Sequence, residues 1–250
     1  MPLLEVENAM VFYENALALN DLSLRVDPGE IVGVIGPNSA GKTTLMNTIS
    51  GLIVERATQE RRRGGERITV YGSVRFEGED LSGVKPPERV KRGIVLCRER
   101  HPIFGESDVL ENLRIAGYLR SKSQTRQAGE RVFELFPALT ALRRRKAGFL
   151  SGGEQQMLAI GMALVAGPRL LLLDEPLLGL SPHIQAVLVN AFRTLRQELK
   201  LTIVIAEQFA RPVLPLIDRG YVIENGNVTL HDTGPALMAN PEVRAAYFGM

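Results

Sequence analysis

Lys42 and Thr43 close the run Gly36-Pro37-Asn38-Ser39-Ala40-Gly41-Lys42-Thr43, which fits the pattern G-x-x-x-x-G-K-S/T. These residue types at this spacing suit a nucleotide polyphosphate, ATP or GTP. Glycines let main-chain N–H groups approach phosphate oxygens, the Lys42 ammonium reaches the β- and γ-phosphates, and the Thr43 hydroxyl is a ligand for Mg²⁺. Pro37, Asn38, Ser39, Ala40 and Thr44 belong to the same cradle. A positive φ at Ser39 would cost about 1 kcal/mol, because only glycine takes it freely. Far downstream, Asp174 and Glu175 stand side by side before Pro176. Asp174 is expected to hold Mg²⁺, directly or through water, and Glu175 to polarise the attacking water as general base. The bland alternative is that two acids merely cap a strand.

Elements able to position these groups are legible around them. Ile31 to Ile35 is an apolar, β-branched run, and Thr43 to Ile49 is helix-like, so strand, loop and helix aim N–H groups and a helix dipole at the phosphates. Leu170 to Leu173 reads as a parallel strand covered on both faces, and ligands of open α/β sheets bind beyond the carboxyl ends of such strands. Ser151, Gly152 and Gly153 offer an N-cap serine and two glycines at a helix start, a second site for an anion. Further strands are expected at Leu3 to Val6, Ser23 to Val26, Ser73 to Phe76, 202–206 and 220–224. Residues 99 to about 150 read as helical: Ser107 to Leu113 has capping character, Arg131 to Phe136 has helical apolar spacing, and Pro137 ends it.

Leu150-Ser151-Gly152-Gly153-Glu154-Gln155-Gln156, lying ahead of Leu170-Leu171-Leu172-Leu173-Asp174-Glu175-Pro176, resembles the signature motif of ABC-type ATPases. The resemblance covers nearly the whole chain. It implies an α/β phosphate-loop NTPase core of the ABC ATPase type, with an N-terminal β-rich part and an inserted helical subdomain. Residues 1–98 and 151–250 would form the nucleotide-binding core and 99–150 the helical part, which grips a membrane subunit. In such proteins Ser151, Gly152 and Gly153 close over the γ-phosphate held by a second ATPase subunit, so a homo- or heterodimer sandwiches two ATP molecules. Gly179-Leu180-Ser181-Pro182 matches the loop that crosses this interface. Tyr13 matches the aromatic residue that stacks on adenine, with Phe12 as the competing candidate.

Two positions depart from most of the family. Glu99 stands where a glutamine usually senses the γ-phosphate and metal, and Gln208 where a histidine usually follows the last core strand; glutamine can hydrogen-bond but carry no charge. Both departures, and the ending Glu242 to Gly249, resemble the smaller nucleotide-binding subunit of branched-chain amino-acid importers. That implies ATP hydrolysis with Glu175, Lys42 and Gln208 as catalytic residues and membrane-spanning permease subunits as partners. An extracytoplasmic solute-binding protein would act indirectly, and the chain would sit peripherally on the cytoplasmic face of the plasma (inner) membrane. Another solute such as urea or an amide is the alternative cargo. A slowly hydrolysing nucleotide sensor is the alternative role, raised by Ser39, Glu99 and Gln208.

Composition agrees. With 250 residues, 45% hydrophobic content and a net charge of +2, the chain can bury a full core and carries no charge excess pointing to nucleic acid. The single cysteine, Cys97, excludes an internal disulfide and reads as a buried strand residue. Met157 to Leu173 would attract a hydropathy scan, yet Gly167-Pro168-Arg169 divides it into pieces too short for a bilayer core of about 30 Å. No leader of basic start, apolar middle and small cleavage site is read at the start. Glu55 to Tyr71, with Arg61 to Arg63, has no counterpart in the resembled family and is expected to be a solvated insertion, or else a contact for lipid headgroups or a partner. Arg143 to Lys146 is divided likewise between solvated face and interface. His101, His183 and His231 have no metal-ligand spacing.

Overall fold

The computed structural model describes residues 1–99 and 102–248, so Arg100, His101, Gly249 and Met250 lie outside the described residues. The chain begins with two long strands, β1 (Leu4–Tyr13) and β2 (Ala16–Val26), followed by β3 (Ile31–Ile35). Next come α1 (Lys42–Ser50), α2 (Leu52–Arg63), β4 (Ile68–Phe76), β5 (Glu79–Asp80), α3 (Pro86–Lys91) and β6 (Ile94–Cys97). A helical stretch follows with α4 (Val109–Ala116), α5 (Lys122–Leu135), short 3-10 turns at Pro137–Leu142 and Ala147–Phe149, and α6 (Gly152–Val165). Alternation then resumes through β7 (Leu170–Asp174), α7 (Pro182–Leu199), β8 (Thr202–Glu207), β9 (Arg219–Glu224) and β10 (Asn227–Thr233), closing with α8 (Gly234–Ala239) and α9 (Pro241–Tyr247).

Among the described residues one sheet has the order β2-β1-β4-β5 and the other β10-β9-β3-β8-β7-β6. The first is antiparallel. In the second, β3 pairs in parallel with β8 and β9, and β7 in parallel with β6 and β8. The strand period of two divides the parallel sheet between two apolar layers. Leu171, Leu173, Ile203 and Ile205 face one core, built with α4 to α7. Leu170, Leu172, Val204 and Ala206 face the other, built with α1 and the antiparallel sheet. All four leucines of β7 are fully buried, each worth about 1.5–3 kcal/mol of hydrophobic stabilisation. This is the α/β arrangement the sequence leads one to expect.

The phosphate-loop helix is held at its far end by a residue the sequence reading passed over. Arg89, 3% exposed, donates from Nη1 to the carbonyls of Thr48 (2.9 Å) and Ile49 (2.8 Å), from Nη2 to Leu81 (2.8 Å) and from Nε to Val84 (3.0 Å). It satisfies carbonyls that the end of α1 leaves open. Burial pulls its pKa down to about 10. Gly51 ends α1 at φ +83, and a Cβ there would meet Arg89 Nε at 2.8 Å, so glycine is required both by conformation and by space.

The stretch Glu55 to Tyr71, expected as a solvated insertion, is mostly regular secondary structure. It forms most of α2, a short link, and the first half of β4, where Ile68 pairs with Tyr13 and Tyr71 with Met10. Arg61, Arg62 and Arg63 occupy the last turn of α2, where cations complement the helix dipole, and Gly64 caps it at φ +64. Only Ile53 of this helix is buried, so its remaining surface is solvated as expected. Among the described residues no helix is long and apolar enough to cross a membrane; α6 ends at Val165 and β7 begins at Leu170.

Candidate nucleotide site

The carboxyl ends of β3, β8 and β7 lie side by side, and the expected phosphate loop and acid pair are joined there. β3 is buried throughout and runs into Gly36, whose N–H donates to the Glu207 carbonyl at 3.2 Å. Ser39 has φ +64, the strained backbone its sequence position raised, and Gly41 has φ +105. A Cβ on Gly41 would meet the Ala18 carbonyl at 2.6 Å, and one on Gly36 the Ile223 carbonyl at 2.2 Å, so β2 and β9 wall the loop closely. Pro37, Asn38 and Ser39 are exposed, and Ala40 is buried with its carbonyl accepting from Gly226 N–H at 3.0 Å.

Lys42 opens α1 and is 4% exposed. Its ammonium donates to the carbonyls of Gly36 (2.8 Å) and Pro37 (2.9 Å) and lies 3.0 Å from the Glu175 carboxylate. Thr43, beside it, donates its hydroxyl to Asp174 Oδ1 at 3.3 Å. Thr44 is half-buried and accepts from the Thr48 hydroxyl through its carbonyl. Burial first, then the neighbouring charges of Glu175 and Glu99, push Asp174 up to about 6, against a lowering by the Thr43 hydrogen bond and Lys42. A divalent cation at this point would offset that crowding of negative charge. A hydroxyl beside a carboxylate suits Mg²⁺, which uses one or two protein oxygens together with phosphates rather than an all-protein cage. Among the described residues there is no group of three or more His, Cys, Asp or Glu placed for a metal.

The sequence reading missed Glu207. It ends β8 between the two functional strands, is 3% exposed, and accepts the Leu177 N–H at Oε1, 2.9 Å away. Burial pushes its pKa up from an ordinary 4.5 to about 8, with Glu175 and Asp174 adding to the rise. A carboxyl at the end of a central buried strand was the available signal. Because the folded chain keeps a proton here that the unfolded chain sheds, stability is expected to fall as pH rises from 4.5 to about 8. Thermal midpoints across this range check it: Glu207→Gln should flatten the fall, and an unchanged slope would contradict the assignment. Gln208, next in the chain, is half-buried, and Glu99 is exposed and close enough to Asp174 to raise its pKa.

Other expected residues lie apart from this cluster. Ser151 caps α6 with a reciprocal pair: its Oγ accepts from Glu154 N–H at 3.4 Å, and Glu154 Oε2 accepts from Ser151 N–H at 2.7 Å. Ser151 and Gly152 are exposed, Gly152 faces open space, and a Cβ on Gly153 would touch Ile184 of α7 at 3.1 Å. The helix start is therefore presented outward. Tyr13 ends β1 with the Arg56 guanidinium of α2 5.3 Å from its ring centre, whereas Phe12 packs edge-on against Tyr71. Cys97 is buried in β6, which pushes its thiol up to about 12. His183 is exposed at the start of α7, and His231 stacks on Tyr221. A groove of about 1090 Å³ between α5 and α7 is lined by Arg131, Leu135, Asn190 and Glu198 among others, and by no residue of the phosphate loop, the acid pair or the start of α6. Its size is no guide to the chemistry, which sits on the strand ends.

Residues 19–178, more than half of the chain, match the family model described as ABC transporter. The chain belongs to the ABC transporter family. This ABC ATPase is 41% identical to the high-affinity branched-chain amino acid transport ATP-binding protein BraG of Pseudomonas aeruginosa, over 99% of this chain and 100% of that one. It is 33% identical to the probable branched-chain amino acid transport ATP-binding protein LivF of Archaeoglobus fulgidus, over 95% of each. In structure it resembles the ADP conformation of MJ1267, an ATP-binding cassette of an ABC transporter, with TM-score 0.79, 29% identity and complete coverage of both chains.

Proposed function

We propose that this ABC ATPase is the ATP-hydrolysing subunit of a membrane importer whose cargo is branched-chain amino acids. Hydrolysis is supported best by the contact of Lys42 with Glu175 and of Thr43 with Asp174, which places phosphate-binding and acid groups within one cluster, and the cargo by the 41% and 33% identity to branched-chain amino acid transport ATP-binding proteins. Lys42 binds the β- and γ-phosphates by exchanging its carboxylate partner for phosphate oxygens. Glu175, released from the ammonium, accepts the proton of the water that attacks the γ-phosphate. Thr43 and Asp174 would hold Mg²⁺, which neutralises phosphate charge when bound. Glu99 would join them as a metal ligand or accept from the attacking water, Gln208 donates to the γ-phosphate, and Tyr13 supports the adenine by stacking.

The outward-facing start of α6 suits a phosphate presented by a second ATPase subunit, since Ser151, Gly152 and Gly153 offer N–H groups and the positive end of a dipole. The working unit is then a dimer whose closure on ATP shifts residues 99–150 against membrane-spanning subunits, the solute-binding protein acting from the far side. The chain is held peripherally at the cytoplasmic face by those subunits.

ATP turnover measured over a range of chain concentrations tests this. A dependence steeper than first order is expected for the isolated chain. Ser151→Ala should lower turnover by about tenfold or more, against a stability cost of only about 1 kcal/mol for the lost cap. Strictly first-order turnover that is indifferent to Ser151→Ala would rule out a dimeric site.

A further inference from the structure

Glu175 adopts φ +48, a left-handed backbone conformation that a non-glycine residue keeps only when its surroundings enforce it. The last two residues of β8 supply that enforcement. The Ala206 carbonyl accepts the Glu175 N–H at 2.9 Å, and the Glu207 side chain accepts the Leu177 N–H at 2.9 Å. Pro176, between them, has no N–H to offer. The main chain on either side of the proline is thus fastened to the strand that separates the phosphate loop from the acid pair. Glu207 also takes the Gly36 N–H on its own carbonyl, so one residue touches the start of the phosphate loop and the segment leaving Glu175. Leu177 is 2% exposed and is held again through its carbonyl by Gln185 Nε2 at 3.1 Å. Directly beyond it Leu178 is 43% exposed and Gly179 turns at φ +71 into open space. The fastening at Leu177 therefore ties the turn after Glu175, in which the Leu178 N–H donates to the Glu175 carbonyl at 3.3 Å, to β8 before the chain becomes exposed.

We propose that Glu207 is a positioning residue for hydrolysis: by holding the Leu177 N–H, its side-chain carboxyl keeps the Glu175 backbone in its left-handed conformation, which fixes the direction of the Glu175 carboxylate once Lys42 has turned to phosphate. It acts as a hydrogen-bond acceptor of fixed reach rather than as a charge. This rests on the reading of Glu175 as general base.

The test compares Glu207→Gln, Glu207→Ala and Glu207→Asp in the full chain by steady-state ATP hydrolysis, with equilibrium ATP binding and a thermal melt as checks on folding. Glutamine keeps an oxygen at the same reach and should retain kcat within about threefold. Alanine removes the acceptor and aspartate shortens it, and each should lower kcat about tenfold or more while KM and ATP affinity stay within about threefold. Should the alanine variant fail to bind ATP or to fold, the aspartate and glutamine pair decides. Full kcat in the aspartate variant with a defective glutamine variant would overturn the proposal, because charge and not reach would then matter. Equal losses in kcat and affinity in every variant would also overturn it, leaving a purely structural role. Glu175→Gln, run alongside, separates the two levels: retained turnover there removes the general base itself. Abolished turnover there with full kcat in the alanine and aspartate variants removes only Glu207.

Discussion

Glu175→Gln is expected to lower kcat for ATP hydrolysis by about a thousandfold and, at the same time, to tighten ATP binding. The first effect follows from the loss of the group that takes the proton of water. The second follows from the 3.0 Å contact between Glu175 and the Lys42 ammonium, with both side chains almost wholly buried. A phosphate must compete with that carboxylate for the same cation. An amide is a weaker competitor and brings no negative charge against the γ-phosphate, so a gain of about tenfold, or about 1.4 kcal/mol, is expected. Single-turnover hydrolysis and titration calorimetry measure the two effects separately. Turnover within tenfold of the parent would remove Glu175 as the base, and weaker binding would mean that the carboxylate assists rather than obstructs the nucleotide.

Lys42→Met should abolish usable nucleotide affinity, by about a hundredfold or more, and should also destabilise the folded chain. The Lys42 ammonium serves the Gly36 and Pro37 carbonyls and the Glu175 carboxylate at once. A methionine fills the same volume but leaves all three without a donor, and stripping one member from a buried pair costs about 3–5 kcal/mol. Denaturant unfolding should show most of that loss. Combining Lys42→Met with Glu175→Gln should recover a large part of the stability, because the stranded charge is gone, and none of the binding. If the double variant were no more stable than the single one, the buried pair would not be the source of the cost.

The site was legible in the sequence wherever one residue type alone can do a job. Gly41 at φ +105, Lys42, Thr43 and the Asp174-Glu175 pair are such positions, and they lie where the strand and helix signals placed them. Buried parallel strands also announce themselves: 170–174, 202–206 and 220–224 read from apolar runs fall within β7, β8 and β9 to about a residue. The antiparallel sheet was harder. Only the ends of β1 and β2 were read, because Glu7, Asn8, Asn20 and Asp21 interrupt the apolar pattern. In the structure Asn8 and Asp21 take positive φ and the pairing shifts register nearby, so period-two alternation breaks where the strands continue. The α2 helix was hidden by its charge, although three arginines followed by Gly64 form a helix ending in their own right. Arg89 and Glu207 were missed for a different reason. Their partners are main-chain groups of segments distant in the chain, and nothing in the identity of Thr48, Leu81 or Leu177 announces a contact made through its backbone.

The parallel pairing of β3, β8 and β7 fixes how far the strand that leads into the phosphate loop stands from the strand that ends at Asp174. Two adjacent strand spacings of about 4.8 Å set that interval, and main-chain hydrogen bonds maintain them whichever side chains line the sheet. The sheet therefore works as a gauge block whose calibration is independent of the apolar filling around it. Exchanging leucine, isoleucine and valine for one another on β3, β7 and β8 is expected to alter how long the fold survives heat without moving the reacting groups apart. Drift of the kind that separates this chain from relatives with which it shares a third to two-fifths of its residues can then accumulate in the core while one phosphate chemistry is passed on.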